Sequence, residues 1–325
     1  MGFWDWYLEP FRNCIEEKTI SPPTFKEAPK TYVYRPHNFT EYIGQEKAKQ
    51  TLKSYIAGIK SRGLTFPHTI IYGNAGCGKT TLARLLANEL EVPIIETMAS
   101  EIDNAHDIIW KISSLEKPSI LFLDEVHALE RNTVEGIYTV MEDFTYNNKS
   151  IMPFTFIGAT TELGEIIKTR KPFAERFKLW LELEPYKAEE IERIVFQYNA
   201  NAFPNDVFDK TIYKQIGLNA RATPRTGIRL LEATIYLNGD VAQALKNLNI
   251  LKDGYTIRDL KCLKYLSEND KGMGLQGLCS YLNVDSELYM YEIEPYLLQN
   301  NLIIRTPRGR KLTTEGLLKL KELQQ

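Results

Sequence analysis

The residues GNAGCGKT (Gly73–Thr80) carry the clearest chemistry in the chain. They fit the pattern GxxxxGK[ST], in which a loop turns successive backbone N–H groups toward phosphate oxygens. A Cβ would obstruct that approach, which accounts for Gly73, Gly76 and Gly78. A helix starting near Lys79 would aim the positive end of its dipole at the same phosphates. Lys79 adds a point charge at the β- and γ-oxygens, and the Thr80 hydroxyl is placed to ligate Mg²⁺. Cys77 and Thr81 fall in and beside this loop and count with its nucleotide-binding residues.

A second group stands in LFLDEVH (121–127). Four apolar residues bury a strand whose carboxyl end points at the ligand crevice of an open parallel sheet. Asp124 is placed to hold Mg²⁺ through water, and Glu125 is the natural base for the attacking water. GATT (158–161) ends the next strand and brings Thr160 or Thr161 beside the γ-phosphate. AERF (174–177) and ATPR (222–225) each offer an arginine. A lone arginine is ordinarily a surface salt bridge of little worth.

These groups need a scaffold, and the hydrophobic pattern supplies one. The period is helical over 46–60. HTIIYG (68–73), VPIIETM (92–98), ILFLDE (120–125), FTFIGATT (154–161) and LWLELEP (179–185) read as strands. TTLARLLANEL (80–90) and VEGIYTVMEDF (134–144) read as the helices between them. Strands alternating with helices predict an α/β fold with a parallel sheet covered on both faces. After Pro185 the strands stop, and three helical stretches predict a small all-helical lid over 186–254. A third part, 255–325, reads as helices followed by strand, turn and strand in NLIIRTPRGRKLTTEG. The large strand-bearing domain is thus expected over 33–185. Residues 1–32, with three prolines in SPPTFKEAPKTY and the cluster Phe3, Trp4, Trp6, Tyr7 and Phe11, read as an aromatic, proline-rich arm.

The chain of 325 residues is 43% hydrophobic and 25% charged, which suits two or three globular domains and excludes a disordered chain. Its net charge of −2 gives no global basic field, so any nucleic-acid contact must be local. Cys14, Cys77, Cys262 and Cys279 are scattered, which argues against a zinc cage or a disulfide framework and fits a reducing compartment. No apolar run is long enough to span a bilayer, and the N-terminus lacks the pattern of a signal peptide. A soluble, cytoplasmic protein without membrane contact is expected.

Taken together, these segments resemble the AAA+ ATPases, and within them the RuvB family of Holliday-junction branch-migration motors. YRPHNFTEYIGQEKAKQTLKSYI, HTIIYGNAGCGKTTLA, LFLDEVHAL, VMEDF, PFTFIGATTELG, ATPRTGIRLL and EPYLLQNNLIIRTPRGRKLTTEG match in order over about 33–316. The last segment is the most specific, because other AAA+ proteins lack it. The resemblance implies an AAA+ P-loop ATPase domain, a helical lid and a C-terminal winged helix. It implies ATP and Mg²⁺ as cofactors, with Arg35, Pro36, Tyr42 and Ile43 on the adenine side. It makes Thr161 part of sensor 1, Arg225 sensor 2, and Arg176 an arginine finger offered to a neighbouring subunit. A finger given in trans implies a homo-oligomeric ring, by family a hexamer.

The chain also departs from that family. Ala174 replaces an arginine two positions before the finger, Lys178 a glycine after it, and Ala222 the glycine before TPR. Between MEDF and PFTF only TYNNKSIM (145–152) remains, where the family has a longer β-hairpin that engages the RuvA partner. A stub is expected, and with it an altered coupling to RuvA. The last 25 residues carry Arg305, Arg308, Arg310, Lys311, Lys319 and Lys321 against Glu315 and Glu322. RTPRGR reads as a wing whose Arg305, Arg308, Arg310 and Lys311 reach the phosphates of double-stranded or junction DNA without reading sequence. Three to five such contacts imply a slope of log affinity against log salt of about −3 to −5. The expected activity is ATP hydrolysis coupled to DNA translocation in recombination and repair. The rival is an AAA+ loader or adaptor acting through another protein partner.

Overall fold

A computed structural model describes residues 33–113, 115–269 and 271–324. The arm expected over 1–32 lies outside the described residues. The chain enters helix α1 (Glu46–Lys60) and then strand β1 (Thr69–Tyr72), which ends at the glycine loop; helix α2 (Lys79–Leu90) follows. Next come β2 (Ile94–Met98), α3 (Ala105–Ser113), β3 (Ser119–Asp124), α4 (Arg131–Gly136) and α5 (Tyr138–Asp143). The strand pair β4 (Thr145–Tyr146) and β5 (Lys149–Ser150) precedes β6 (Phe154–Thr160), α6 (Leu163–Thr169), α7 (Lys171–Ala174) and β7 (Leu179–Glu182).

Five strands form one parallel sheet in the order β2-β3-β6-β1-β7. Successive residues of the inner strands β3, β6 and β1 face opposite cores, so these read as nearly unbroken apolar runs, whereas the edge strand β7 alternates buried and exposed residues. Ile71, Phe122 and Ile157 pack one face together with Leu82, Leu85 and Leu86 of α2. Ile70, Leu121, Leu123 and Phe156 pack the other, against Ile108, Val134, Ile166 and Phe173. His68 pins the sheet to α5. The Phe156 N–H donates to its Nδ1 at 2.9 Å, so its Nε2–H donates to the Met141 carbonyl at 2.8 Å. Burial pulls the His68 imidazole below its ordinary range.

The single helix expected over 134–144 is two, broken at Ile137 (φ −102°, ψ 0°), and its first half begins at Arg131. The hydrophobic period survives the break because Val134, Ile137, Val140 and Met141 all stay buried in one cluster. Helix α3, with Ile108, Ile109 and Ile112 buried, was not read from the sequence, and α6 and α7 are too short to show a period. The expected stub is present: β4 and β5 are joined by Asn147 and Asn148, both at positive φ (50° and 59°). Asparagine tolerates such backbone angles in a two-residue hairpin turn.

Beyond the sheet, α8 (Ala188–Ala202), α9 (Lys210–Asn219), α10 (Pro224–Tyr236) and α11 (Val241–Asn247) form an all-helical lid. Ile191, Val195, Leu230 and Leu231 join the same apolar cluster as one face of the sheet. The C-terminal part comprises α12 (Ile257–Ser267), α13 (Leu275–Leu282), α14 (Ser286–Leu288), a π turn (Tyr289–Ile293) and α15 (Glu294–Gln299). The hairpin of β8 (Ile303–Thr306) and β9 (Gly309–Leu312) and helix α16 (Thr314–Leu323) complete it. Pro295 has no N–H for the helical ladder, which accounts for the π turn ahead of it. Strand character ends at Leu312 rather than running to Gly316. The Thr313 hydroxyl accepts from the Gly316 N–H and caps α16 instead. This winged-helix part has its own core, built on Leu263, Leu266, Tyr289, Leu297, Ile303 and Leu320.

Candidate active site

The carboxyl ends of β1, β3 and β6 lie side by side, which brings three separate sequence segments to one edge. Tyr72 pairs in register with Thr160 at the ends of β1 and β6. The loop after β1 needs its glycines: Gly76 and Gly78 sit at φ +79° and +94°. A Cβ at Gly76 would meet the Arg225 side chain at 2.9 Å, and one at Gly78 the Tyr42 hydroxyl at 2.8 Å. Both expected neighbours of the loop are therefore in place. Arg225 lies against it from the N-terminal end of α10, and Tyr42 props it from below.

Lys79 opens α2 and is 8% exposed. Its ammonium donates to the carbonyls of Gly73 (2.9 Å) and Asn74 (3.3 Å). Burial pulls it below its ordinary range, and Glu125 and Asp124 work in the opposite direction. Thr80 Oγ1 donates to Asp124 Oδ2 at 3.3 Å. A hydroxyl beside one carboxylate is the small oxygen set that suits Mg²⁺, which keeps waters and takes its other ligands from phosphates. Among the described residues no cluster of three His, Cys, Asp or Glu forms a self-sufficient metal cage. Cys77 is fully buried, and burial pushes its thiol up. Thr81 is half-buried in the first turn of α2.

Glu125 adopts φ +50° just past β3. Its Oε2 accepts from Thr161 Oγ1 at 3.3 Å and lies 3.3 Å from His127 Nδ1. His127 Nδ1 also lies 3.0 Å from Thr160 Oγ1. The Arg170 guanidinium donates to the His127 carbonyl at 2.5 Å. The base candidate is thus held by the end of β6 and by a histidine that had no assigned role. Its only sequence signal was its place two residues after Glu125.

The adenine-side segment divides. Tyr42 is buried, its hydroxyl 3.3 Å from that of Tyr186 and 3.5 Å from the Gly78 carbonyl. Lys49, also buried, donates to the Tyr42 carbonyl at 2.7 Å. Tyr186 and Lys49 support the loop and were not legible in advance. Arg35 is exposed and Pro36 half-buried, and the next residue, His37, accepts from Asn88 of α2 at 3.2 Å. Ile43 lines a cavity of about 670 Å³ with Phe196, Phe208 and Tyr213 of the lid side.

Arg176 stands apart from this assembly. Its guanidinium lies 3.7 Å from the Tyr138 ring centroid, 3.1 Å from Glu142 Oε1 and 2.6 Å from the Pro172 carbonyl. All three partners belong to α5 and α7, and none to the glycine loop. Neither Tyr138 nor Glu142 was singled out by sequence.

The wing differs in part from expectation. Arg308 and Lys311 are exposed on the β8–β9 hairpin, as a phosphate contact requires. Arg310 instead turns inward, 15% exposed, and donates through Nε to Glu294 Oε1 at 2.7 Å. Arg305, 62% exposed, shares the same carboxylate at 2.9 Å. Glu294 is fully buried, and a buried carboxylate needs cations. Burial opposes its ionisation, but the bonds from Arg310 and Arg305 outweigh this and hold it below the usual carboxylate range. Lys319 pairs with Asp253 and Glu322. The segment before the hairpin, residues 283–302, carries Asp285, Glu287, Glu292 and Glu294 and no Lys or Arg, so it offers phosphate no cation.

Comparison with known proteins agrees with these two halves. The family model described as the Holliday junction DNA helicase RuvB P-loop domain matches residues 34–183, and the RuvB C-terminal winged-helix model matches 252–321. The Holliday junction branch migration complex subunit RuvB of Mycoplasmopsis pulmonis is 35% identical over 313 residues, covering 89% of this chain and 98% of its own length. The protein of the same name from Kosmotoga olearia is 34% identical over 326 residues, covering 93% and 94%. The solved RuvB Holliday junction branch migration motor of Thermotoga maritima superposes with a TM-score of 0.78 at 33% identity, covering 88% and 98%. The Aeropyrum pernix ORC2 protein, at 16% identity and a TM-score of 0.59, shares the fold alone. With both halves matched and its relatives covered almost end to end, the chain belongs to the RuvB family of P-loop ATPases.

Proposed function

We propose that this protein is an Mg²⁺-dependent ATPase that works as a ring and drives double-stranded DNA through branched junctions, in the cytoplasm. The observation that carries the reading is the division of the site. The loop residues, Asp124, Glu125 and Thr161 share one sheet edge and Arg225 of the lid packs against the loop, while Arg176 is held on α5 and α7. A cation needed by the γ-phosphate but presented elsewhere suits a neighbour's site.

The roles follow from position. Lys79 and the loop N–H groups bind the β- and γ-phosphates, and Thr80 with Asp124 holds the metal, which supplies charge neutralisation at those oxygens. Glu125, steadied by Thr161 and His127, orients the attacking water and takes its proton. Arg225 ties the phosphates to the lid, and Arg176 of the adjoining subunit stabilises the transition-state charge, an effect of about 10³–10⁵ in rate in other NTPases. Movement of the lid would then move the wing, where Arg308 and Lys311 meet DNA phosphates.

A hexamer is the expected ring size, and negative-stain images with an ATP analogue would count the subunits. The activity is tested with a synthetic four-way junction: ATP should drive its conversion to two-armed products, and ATP turnover without junction movement would contradict the motor. A loader or adaptor reading is favoured by one observation, the stub of β4 and β5. Junction movement, with or without added RuvA, separates the two, since a loader would drive none.

A further inference from the structure

The winged-helix core shares no residue with the two clusters that pack the sheet and the lid. A polar hub ties this part to the lid. Arg221, between α9 and α10, sends a guanidinium with 14% exposure against Asp259 of α12, which is 0% exposed. The same group donates to the Gly254 carbonyl at 3.1 Å and to the Glu292 carbonyl, in the π turn, at 2.7 Å. Its face lies 4.3 Å from the Tyr296 ring centroid. In return, the Gly254 N–H donates to Asn219 Oδ1 at the end of α9, at 3.0 Å.

A planar fork with acceptors in three directions and a ring beneath it has one orientation, whereas an apolar contact can slide. Its position in the chain gives that rigidity a use. Four residues on, Arg225 packs against the glycine loop, and the intervening Ala222 carbonyl accepts the Tyr186 N–H at 3.0 Å. We propose that Arg221 is the transmission residue of this motor. It locks the winged helix to the lid, so a shift of the Arg225 segment at the nucleotide reaches the wing with no free joint between. The mechanical part rests on the proposed motor function, while the lock itself does not.

Two variants test it. Arg221→Lys keeps a cation for Asp259 but cannot fork, and Arg221→Asn tolerates the local φ of +52° while removing the charge. Spin labels at cysteines replacing the exposed Lys214 (α9) and Lys264 (α12), in a Cys14→Ser background, report the distance between lid and winged helix. The parent should give one narrow distribution, with or without an ATP analogue, and Arg221→Lys a broad one. ATP turnover of Arg221→Lys should stay within about two-fold of the parent while junction movement slows about ten-fold or more. If Arg221→Asn fails to fold by circular dichroism, Arg221→Lys alone decides. A narrow distribution in the folded variants overturns the lock. A broad distribution with unchanged junction movement overturns transmission. A parent that moves no junction at all refutes the motor, and the distance measurement still decides the lock.

Discussion

Lys79 is an ammonium held where charge is costly, with two backbone carbonyls and the acids Asp124 and Glu125 as its compensation. Replacing it by alanine removes the only side-chain cation rooted in the loop. Lys79→Ala is expected to lower ATP turnover by about a hundred-fold or more, measured by phosphate release. Ala222 makes the opposite kind of prediction. It stands at φ +57°, where L residues are strained and the family has glycine. Ala222→Gly should raise stability by about 0.5–1 kcal/mol in urea unfolding, and a loss of stability would show that its Cβ packs usefully. The loop was legible because phosphate chemistry demands a contiguous string of residue types. His127, Tyr138, Glu142, Lys49 and Tyr186 were not, because each acts on a residue brought near only by the fold.

The β8–β9 hairpin shows an element whose charge count misleads. Arg310 and Arg305 look like Arg308 and Lys311 in sequence, yet a buried glutamate on another element claims them. Each wing then offers two or three phosphate contacts rather than three to five. Arg308→Ala and Lys311→Ala should each reduce the slope of log affinity against log salt by about 0.9 per engaged wing. Arg310→Ala should act mainly on stability, by about 2 kcal/mol, since it strips the least exposed cation from Glu294 while Arg305 remains. The Glu294 carboxyl lies below its ordinary value of 4.5 in the folded chain. Its contribution is therefore complete above that value and lost as pH falls through the lower, folded one. Thermal melts from pH 6 to pH 3 should show this loss, and Glu294→Gln should remove the corresponding slope. The inner strands were readable as apolar runs buried on both faces, and the edge strand β7 by its alternation. The α4–α5 break and the short α6 and α7 were not, because a helix of a turn or two leaves too little period to see.

At the scale of the whole molecule, the sheet and lid share an apolar cluster, the winged helix keeps its own, and Arg176 rests on α5 and α7 rather than on the glycine loop. On the proposed reading, the functional unit is larger than one chain. The fold class was plain from alternating strands and helices, whereas the proposed sharing of the site between subunits comes from the family resemblance and from where Arg176 rests. The stub of β4 and β5 belongs here too: RuvA is expected to stimulate junction movement by this protein far less than it stimulates a relative with a full hairpin. The most direct measurement of the central claim is ATP turnover by a mixture of Arg176→Ala and Glu125→Gln chains, each nearly inactive alone. Interfaces that pair the intact base of the first with the intact arginine of the second should restore a substantial fraction of activity. A mixture no faster than its components, or full turnover by Arg176→Ala alone, would contradict a site shared between neighbours.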